Sequence, residues 1–386
     1  MHATRFHAAS LVLIGAIAAL AGCTELEPRI PRVADDGAAT ALPATQPLVL
    51  SSSRFAAERA DEAMTISSAL DRITKRVVPL DHMYRHEGTG HGVTVYVYDG
   101  GVSTTHPELA GRVRVGYSAY PTDPPICNAH GTAVAGAIAG ATLGVAPEAR
   151  IVDVKIIQCA SLRGPIHGII DATTWVIRDH REHGGRAVVN WSFLADTEAT
   201  IPALDSSVAL LRAAGMPVIV SAGNADVNAC HASPADAPGV IVVGATTITL
   251  DTVSGTVFPV DVRTPGTAWG PCIDLFAPGD SDLLPSLDSS GAPSFQHWFG
   301  TSMATGYVSG AAALYLEARP DATPDEVGDF LRANATRSVV GDGCVSLGRL
   351  LYVGPRTVTP ADPHTPAAPR EAPGARVPRN RRAPAR

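Results

Sequence analysis

The apolar residues between about Thr65 and Gly354 follow two alternating patterns along the chain. Short runs rich in valine and isoleucine predict strands at Val93–Tyr98, Ile151–Ile157, Ala187–Trp191, Val218–Ser221 and Val240–Gly244. Longer stretches, amphipathic or rich in glycine and alanine, predict helices at His130–Ala141, His167–His183, Ser206–Ala214, Ser302–Ala318 and Pro324–Arg332. Nearly continuous apolar strands are buried on both faces of a sheet. The pattern therefore predicts a three-layer α/β fold, in which a mostly parallel twisted sheet carries helices on both faces.

Residues 1–22 have the pattern of a secretory signal peptide. Arg5 precedes Leu11–Ala21, an unbroken run of apolar or small residues that is shorter than the roughly 20 residues of a membrane span. The run ends in Leu20-Ala21-Gly22-Cys23, which resembles the lipobox of bacterial lipoproteins and makes Cys23 the candidate for lipidation. An ordinary signal peptide followed by an incidental cysteine is the alternative. Residues 23–65 are then expected to form a flexible tether between the anchor and the folded domain.

The composition favours a folded protein that does not bind nucleic acid. Of 386 residues, 45% are hydrophobic and 17% are charged, so the chain can bury enough apolar surface to fold. The net charge of -7 leaves no basic excess to neutralise phosphates. Residues 355–386 differ, because from Arg356 they hold seven arginines against two acids. We expect a solvated, disordered tail there, with contact to anionic envelope polymers as the alternative.

Four polar residues stand at the ends of predicted elements. Asp99 and Asn224 follow strands, while His130 and Ser302 open helices. Sites in parallel sheets form at the carboxyl ends of strands, although each residue also has a structural explanation as a turn residue or a helix cap. Together they supply a hydroxyl nucleophile, a base, a carboxylate to orient the base and an amide donor for an oxyanion. The set therefore predicts nucleophilic catalysis.

The order and flanking sequence of these residues resemble the subtilisin-like serine peptidases, in which the triad runs Asp, His, Ser along the chain. The motifs are Tyr98-Asp99-Gly100-Gly101-Val102, His130-Gly131-Thr132 and Gly300-Thr301-Ser302-Met303-Ala304. Three further segments are similar to the proteinase K-like branch: Leu70-Asp71-Arg72-Ile73, the stretch from Cys272 to Gly279, and Arg349-Leu350-Leu351-Tyr352. The resemblance implies a subtilisin-like peptidase domain over residues 66–354. We expect an exported monomer, either held in the cell envelope or secreted, that acts on proteins or peptides.

The resemblance also implies a role for each residue of the set. Ser302 is expected to be the nucleophile, His130 the general base, and Asp99 the carboxylate that orients the imidazole. Asn224 and the Ser302 backbone N–H are expected to bind the oxyanion, and the chemistry requires no cofactor. The flanks depart from the family at Gly100, Ala133 and Gly306-Tyr307, where Thr or Ser, His, and Pro-His are usual. The alternative is therefore a weakly active or inactive envelope lipoprotein that binds peptides.

The cysteines and one aspartate match further positions of that branch. By resemblance, Cys127 is expected to pair with Cys159 and Cys230 with Cys272, the alternative being buried free thiols. Cys344 is left over and expected to be buried. The resemblance implies a structural calcium site at Pro238, Val240 and Asp274, with two backbone carbonyls and one carboxylate as ligands.

The segment expected to bind substrate is Ser192-Phe193-Leu194-Ala195, where the family has Ser-Leu-Gly-Gly. Leu194 and Ala195 place side chains where the relatives have hydrogen, and the opposite segment, residues 161–164, is also altered. Overfilling a packed slot costs about 1–3 kcal/mol, so the S1 site is expected to favour small P1 residues over Phe or Leu. The alternative is that a one-residue register difference turns Leu194 outward.

Overall fold

The computed structural model describes residues 61–65, 67–193, 199–253, 256–280, 282–337, 340–341 and 348–355. Several predictions concern residues outside these ranges: the signal peptide, Cys23, most of the tether, Leu194, Ala195, Cys344 and the tail beyond Pro355. Within the described ranges, no helix combines the length and the apolar character that a membrane span requires.

The described ranges contain fifteen strands, six α-helices and two short 3-10 turns. The strands are β1 (Asp61–Met64), β2 (Met83–His86), β3 (Val93–Asp99), β4 (Val113–Ser118), β5 (Arg150–Lys155), β6 (Arg186–Trp191), β7 (Val218–Ser221), β8 (Ile241–Val253), β9 (Thr256–Arg263), β10 (Leu275–Pro278), β11 (Asp282–Leu287), β12 (Pro293–Trp298), β13 (Thr336–Arg337), β14 (Val340–Gly341) and β15 (Arg349–Leu350). The helices are α1 (Ser68–Ile73), α2 (His130–Ala139), α3 (Ile166–His183), α4 (Pro202–Ala213), α5 (Thr301–Ala318) and α6 (Pro324–Asn334), and the 3-10 turns are Pro107–Leu109 and Ala229–His231.

The centre of the molecule is one twisted sheet. Its strands β4, β5, β3, β6, β7, β8 and β10 lie side by side in that order, and each neighbouring pair is parallel. At the edges β9 runs antiparallel to β8, and β13 runs antiparallel to β15. The predicted α/β fold with a mostly parallel sheet is confirmed.

One hydrophobic core covers each face of this sheet, and the side chains of β3 contribute to both cores. Val93, Val95 and Val97 face the first core, together with apolar residues of α2 and α5. Tyr96 and Tyr98 face the second core, together with apolar residues of α3 and α4. Because successive side chains of a strand point to opposite faces, a run buried on both sides needs the unbroken apolar pattern seen in the sequence.

The structure adds elements that the sequence pattern did not predict. The strand predicted at 240–244 continues to Val253 and turns back as β9, and β11 and β12 form a separate antiparallel hairpin. The hairpin is partly exposed and contains proline, so it lacks the continuous apolar pattern of the central strands. The predicted tether is also too long at its C-terminal end, because β1 pairs with β2. Pairing with β2 explains why the charged segment Asp61–Met64 forms a strand.

Candidate active site

The four predicted site residues lie where the fold places chemistry in parallel sheets, beside the carboxyl ends of central strands. Asp99 is the last residue of β3, and Asn224 follows β7 by three residues. His130 is the first residue of α2, and Ser302 is the second residue of α5. Because α2 and α5 pack against the same face of the sheet, their first turns meet the ends of the strands.

Asp99 and His130 form a direct hydrogen-bonded pair. The Nδ1 of His130 donates to Oδ2 of Asp99 over 2.8 Å, and the backbone N–H of Gly100 donates to Oδ1 over 2.6 Å. Asp99 is buried, while 28% of the His130 side chain is exposed. Burial by itself lowers the pKa of His130, but the charge of Asp99 and the hydrogen bond to it outweigh burial, so the pKa is raised. The pair therefore favours an imidazolium with one ring nitrogen, Nε2, left for another partner.

Two glycines permit the close packing around this pair. A Cβ on Gly131 would lie 2.9 Å from the Cβ of Asp99, closer than such atoms approach. Gly101 has a φ of 112°, and a Cβ there would lie 2.2 Å from a backbone oxygen. Gly101 and Gly131 stand in two of the motifs that resemble the family, and these close contacts explain why each position holds glycine.

Ser302 lies in the first turn of α5, after Gly300, whose φ is 109°. Its hydroxyl donates to the backbone oxygen of Ser192 over 3.2 Å, and the Ser192 hydroxyl donates back to the backbone oxygen of Ser302 over 3.2 Å. The backbone N–H groups of a first helical turn lack acceptors within the helix, and the positive end of the helix dipole lies there. The surroundings of Ser302 therefore suit a developing negative charge, and Ser192, which is predicted to bind substrate, lies in direct contact with it.

The side chain of Asn224 is oriented by Thr301. The backbone N–H and the hydroxyl of Thr301 both donate to Oδ1 of Asn224, over 2.9 and 3.1 Å. A backbone N–H can only donate, so the amide oxygen must face Thr301. The NH2 group of Asn224 is then the end available to a ligand at the exposed edge of the site. Thr301 stood inside a recognised motif, but nothing in the sequence pointed to this orienting contact.

Helix α5 approaches α2 at two glycines. A Cβ on Gly306 would lie 3.0 Å from an alanine Cβ of α2, and a Cβ on Gly310 would lie 3.0 Å from a backbone oxygen of α2. An interior glycine costs about 1 kcal/mol against alanine, but here it allows close contact between helices that begin with His130 and Ser302. Tyr307, which stands where the family has histidine, is fully buried in this helix.

The two predicted disulfides are confirmed. Cys127 is bonded to Cys159, and Cys230 is bonded to Cys272. The first bond ties the segment just before His130 to the segment after β5. Disulfides of this loop length stabilise by about 3–4 kcal/mol in the chain-entropy account.

Asp274, the predicted calcium ligand that would bind through its side chain, has protein partners at both carboxylate oxygens. The Oδ1 of Asp274 accepts from Arg332 over 3.0 Å, and Oδ2 accepts from the backbone N–H of Val242 over 2.9 Å. Calcium needs six to eight oxygen ligands that are free to face it. Here the carboxylate of Asp274 instead binds the guanidinium of Arg332 in α6. Only Asp274 carried sequence information about the site, and its arginine partner lies 58 residues away.

Chelation of divalent cations is expected to leave the thermal midpoint of unfolding unchanged within about 1 °C, because Arg332 and the backbone N–H of Val242 already bind the two carboxylate oxygens of Asp274. Arg332→Ala is expected to lower stability by about 1–2 kcal/mol, since it leaves a largely buried carboxylate without its partner; partial exposure of the pair keeps the effect below that of a fully buried one. Arg178→Ala, which breaks an exposed pair with Glu182, is the matched control. A drop of many degrees on adding chelator to wild type would contradict this account.

One further acid near the site was not singled out from the sequence. Asp153 lies in the middle of β5 and is 4% exposed. The sequence does contain a signal for Asp153, since a charged residue is unusual in a strand that is predicted to be buried on both faces.

Comparison with known proteins agrees with this geometry. Residues 90–350 match the model of the Subtilase family, Peptidase S8. The "Extracellular serine proteinase" of Thermus sp. (strain Rt41A) is 41% identical over 286 residues, which is 73% of this chain and 65% of that protein. The "Alkaline serine exoprotease A" of Vibrio alginolyticus is 36% identical over 285 residues, which is 73% of this chain and 49% of that protein.

A solved structure, that of a cold adapted subtilisin-like serine proteinase, superposes with a TM-score of 0.64 at 36% identity. The match covers 75% of this chain and 98% of that one, whereas the chain spans less than two thirds of the length of the two relatives above. A family model that matches residues 90–350, with relatives of this identity and the same fold, is decisive for family membership. The chain belongs to the subtilase family.

Proposed function

We propose that the protein is an exported serine endopeptidase that hydrolyses peptide bonds through an acyl-enzyme on Ser302. The observation that carries the proposal is the Asp99–His130 hydrogen bond, together with a serine in the first turn of α5, which packs against α2, and an asparagine whose amide oxygen is held by Thr301. The two relatives, named as a serine proteinase and a serine exoprotease, support serine-protease chemistry.

In the first half of the reaction Ser302 attacks the substrate. Its hydroxyl leaves the backbone oxygen of Ser192, and Oγ bonds to the carbonyl carbon while its proton passes to Nε2 of His130. The oxyanion that forms is stabilised by the NH2 group of Asn224 and the backbone N–H of Ser302. The carbon–nitrogen bond then breaks, the proton passes from His130 to the leaving amine, and an ester remains on Ser302.

Water completes the cycle by the same route. His130 takes a proton from water as its oxygen bonds to the ester carbon, and returns the proton to Oγ of Ser302 as the acid product leaves. His130 must be neutral to act as a base. Since its pKa is raised by Asp99, activity is expected to fall as the pH drops through that raised value.

Membership of the proteinase K-like branch, the lipid anchor and the narrow S1 site are finer parts of the proposal. The two disulfides, at the positions expected for that branch, support the first. The anchor at Cys23 rests on the sequence pattern that follows the signal peptide. The narrow S1 site rests on Leu194 and Ala195, and small P1 residues remain the prediction.

A fluorophosphonate probe tests the proposed activity. The probe phosphonylates only a serine that an adjacent base activates, with loss of fluoride, so wild type is expected to be labelled and Ser302→Ala is not. Folded wild-type protein that stays unlabelled would support the peptide-binding alternative instead. The same labelling on separated membranes and supernatant tests the anchor, since Cys23→Ser is expected to move labelled protein off the membranes. Labelled Cys23→Ser that stays on the membranes would refute the anchor and leave the activity standing.

Substitutions of Asn224 test the role of its amide oxygen separately from the role of its NH2 group. Asn224→Asp keeps an oxygen for Thr301 but loses the donor and adds a charge, so kcat is expected to fall at least 10²–10³-fold, as for loss of one oxyanion donor. Asn224→Ala is expected to fall by a similar factor, with KM changed only a few-fold in both variants. Steady-state kinetics on a peptide substrate measures this. Activity retained by Asn224→Asp but lost in Asn224→Ala would assign Asn224 to orienting Thr301 and not to the oxyanion.

A further inference from the structure

The disulfide between Cys127 and Cys159 lies close to His130 and is partly open to solvent. Both cysteines are half-buried, and their bond joins residues just before α2 to residues just after β5. Cys127 also lines a groove of about 600 Å³ together with Ala129 and Trp298, whereas Cys159 is not among the described residues that line it. The ring of Trp298 packs edge-on against that of His130, with the ring centres 6.0 Å apart. A small solute in this groove therefore meets one of the two sulfurs beside His130.

The sulfur of Cys159 has a cationic neighbour. The Nζ of Lys155 lies 3.2 Å from the Sγ of Cys159, and it also donates to the backbone oxygen of Pro124. Lys155 is 2% exposed, so water screens its charge only weakly. In thiol–disulfide exchange the sulfur that forms the better stabilised thiolate leaves faster, and an adjacent lysine stabilises a thiolate. Lys155 therefore makes Cys159 the better leaving sulfur of the pair.

One acid opposes this effect. A carboxylate oxygen of Asp123 and the two sulfurs lie within 4.8 Å of one another, and Oδ2 of Asp123 accepts from the backbone N–H of Cys159 over 2.8 Å. Asp123 is only half-buried, so its charge is more strongly screened than that of Lys155. Because Lys155 is buried and in direct contact with the sulfur, its charge dominates at Cys159.

The second disulfide, Cys230–Cys272, has different surroundings. The Sγ of Cys230 accepts from a neutral donor, the backbone N–H of Cys272, over 3.0 Å. The chain contains two lysines, and the other one, Lys75, is paired with Asp81. No lysine is therefore available to stabilise a thiolate at this bond, which makes it an internal reference for exchange at the first one.

The segment that contains Cys127 also supports the Asp99–His130 pair. The backbone N–H of Cys127 donates to the backbone oxygen of Gly100, the residue after Asp99, over 2.8 Å. Two residues before His130, Oδ1 of Asn128 accepts from the backbone N–H of His130 over 3.1 Å. Opening the disulfide releases this segment from the residues after β5. A displacement of about 1 Å at reacting groups can cost about 10²-fold in rate, so the bond helps to keep the pair aligned.

We propose that Cys127–Cys159 is a site of exchange with low-molecular-weight thiols and that its opening lowers the peptidase activity. The thiolate of such a molecule attacks the Sγ of Cys127 from the groove and forms a mixed disulfide there, while Cys159 leaves as a thiolate beside Lys155. A second thiol attacks the mixed disulfide and departs as the oxidised dimer. Two thiols thus give two electrons and two protons to the pair, which becomes two cysteine thiols. The effect on activity rests on the proposed function, whereas the exchange does not.

The exchange is measured on the Ser302→Ala protein, which the proposed mechanism leaves unable to digest itself. The protein is incubated with reduced glutathione, quenched with acid and alkylated, and peptide mass spectrometry then reports each cysteine separately. Glutathione is expected on Cys127, and the Cys127–Cys159 bond is expected to open at least about tenfold faster than Cys230–Cys272. Equal rates for the two bonds, or glutathione found on Cys159 and not on Cys127, would overturn the proposal.

Two variants test the role of the charges. Lys155→Met keeps a side chain of similar length without the charge, so the Cys127–Cys159 bond is expected to open about tenfold more slowly, with no change at the other disulfide. Asp123→Asn keeps an oxygen for its backbone N–H partner and removes the opposing charge, so opening is expected to be a few-fold faster. Asp123 is partly exposed, and its variant keeps the test decisive if Lys155→Met does not fold. An unchanged rate in either folded variant contradicts the electrostatic argument.

The enzyme with Ser302 intact tests the effect on activity. As glutathione opens the Cys127–Cys159 bond, kcat is expected to fall about tenfold or more with KM within a few-fold, and to recover when glutathione disulfide re-forms the bond. Circular dichroism checks that the fold persists throughout. The double variant Cys127→Ser, Cys159→Ser is expected to have the low kcat without glutathione and not to respond to it. Full activity after complete opening would overturn the effect on activity. If the bond opens as expected in a protein without peptidase activity, the proposed function fails and the exchange site stands.

Discussion

A His130→Ala variant is expected to lose about 10⁶-fold in kcat, with KM within a few-fold of wild type. His130 is the only imidazole that the described residues place in contact with Asp99, and without it the Ser302 proton has no acceptor and the leaving amine no donor. The residual rate then comes from binding and the oxyanion donors alone. Steady-state kinetics with a chromogenic peptide measures the loss.

His183→Ala is the control for this result, because His183 is exposed at the end of α3, which covers the opposite face of the sheet. It is expected to keep full activity. A His130→Ala enzyme that retains more than about one hundredth of the wild-type kcat would show that another group serves as the base, since that base alone carries several powers of ten.

Asp99→Asn is expected to lower kcat about 10⁴-fold while leaving the fold intact. Asparagine has the size of aspartate but cannot supply the charge that stabilises the imidazolium, and its NH2 group favours the wrong tautomer of His130. Because Asp99 raises the pKa of His130, the acid limb of the remaining activity is expected to move to lower pH. A pH series of kcat/KM measures both effects, and an unchanged acid limb would contradict the electrostatic role.

The parallel sheet and the residues at its strand ends could be predicted because local patterns specify them. An apolar run such as Val93–Tyr98 indicates a buried strand whatever its neighbours are, and an acid directly after it falls at the edge where sites form. The helices that begin at His130 and near Ser302 follow from apolar periodicity in the same way. The prediction of Asp99, His130 and Ser302 thus depended on local patterns of neighbouring residues.

Ion pairs between distant segments could not be predicted. Arg332 and Asp274 are 58 residues apart, and Arg72 forms a buried ion pair with Asp261 across 189 residues. Nothing local to Asp274 distinguishes a carboxylate that binds a metal ion from one that binds a guanidinium, so its pairing with Arg332 could not be predicted. Long-range charge pairing depends on the packing of α6, which the local pattern does not encode.

The glycine contact between α5 and α2 has a consequence for redesign of the enzyme. Each helix begins with one of the two proposed reacting groups, and at Gly306 and Gly310 no side chain of α5 separates the helices. The distance between the proposed base and nucleophile is therefore set by two packed backbones and not by the surface loops. Exchange of residues 160–163, which leaves Cys159 and its bond to Cys127 in place, is therefore expected to leave the proposed base and nucleophile aligned. A methyl group added at Gly306 is expected to move both of them at once.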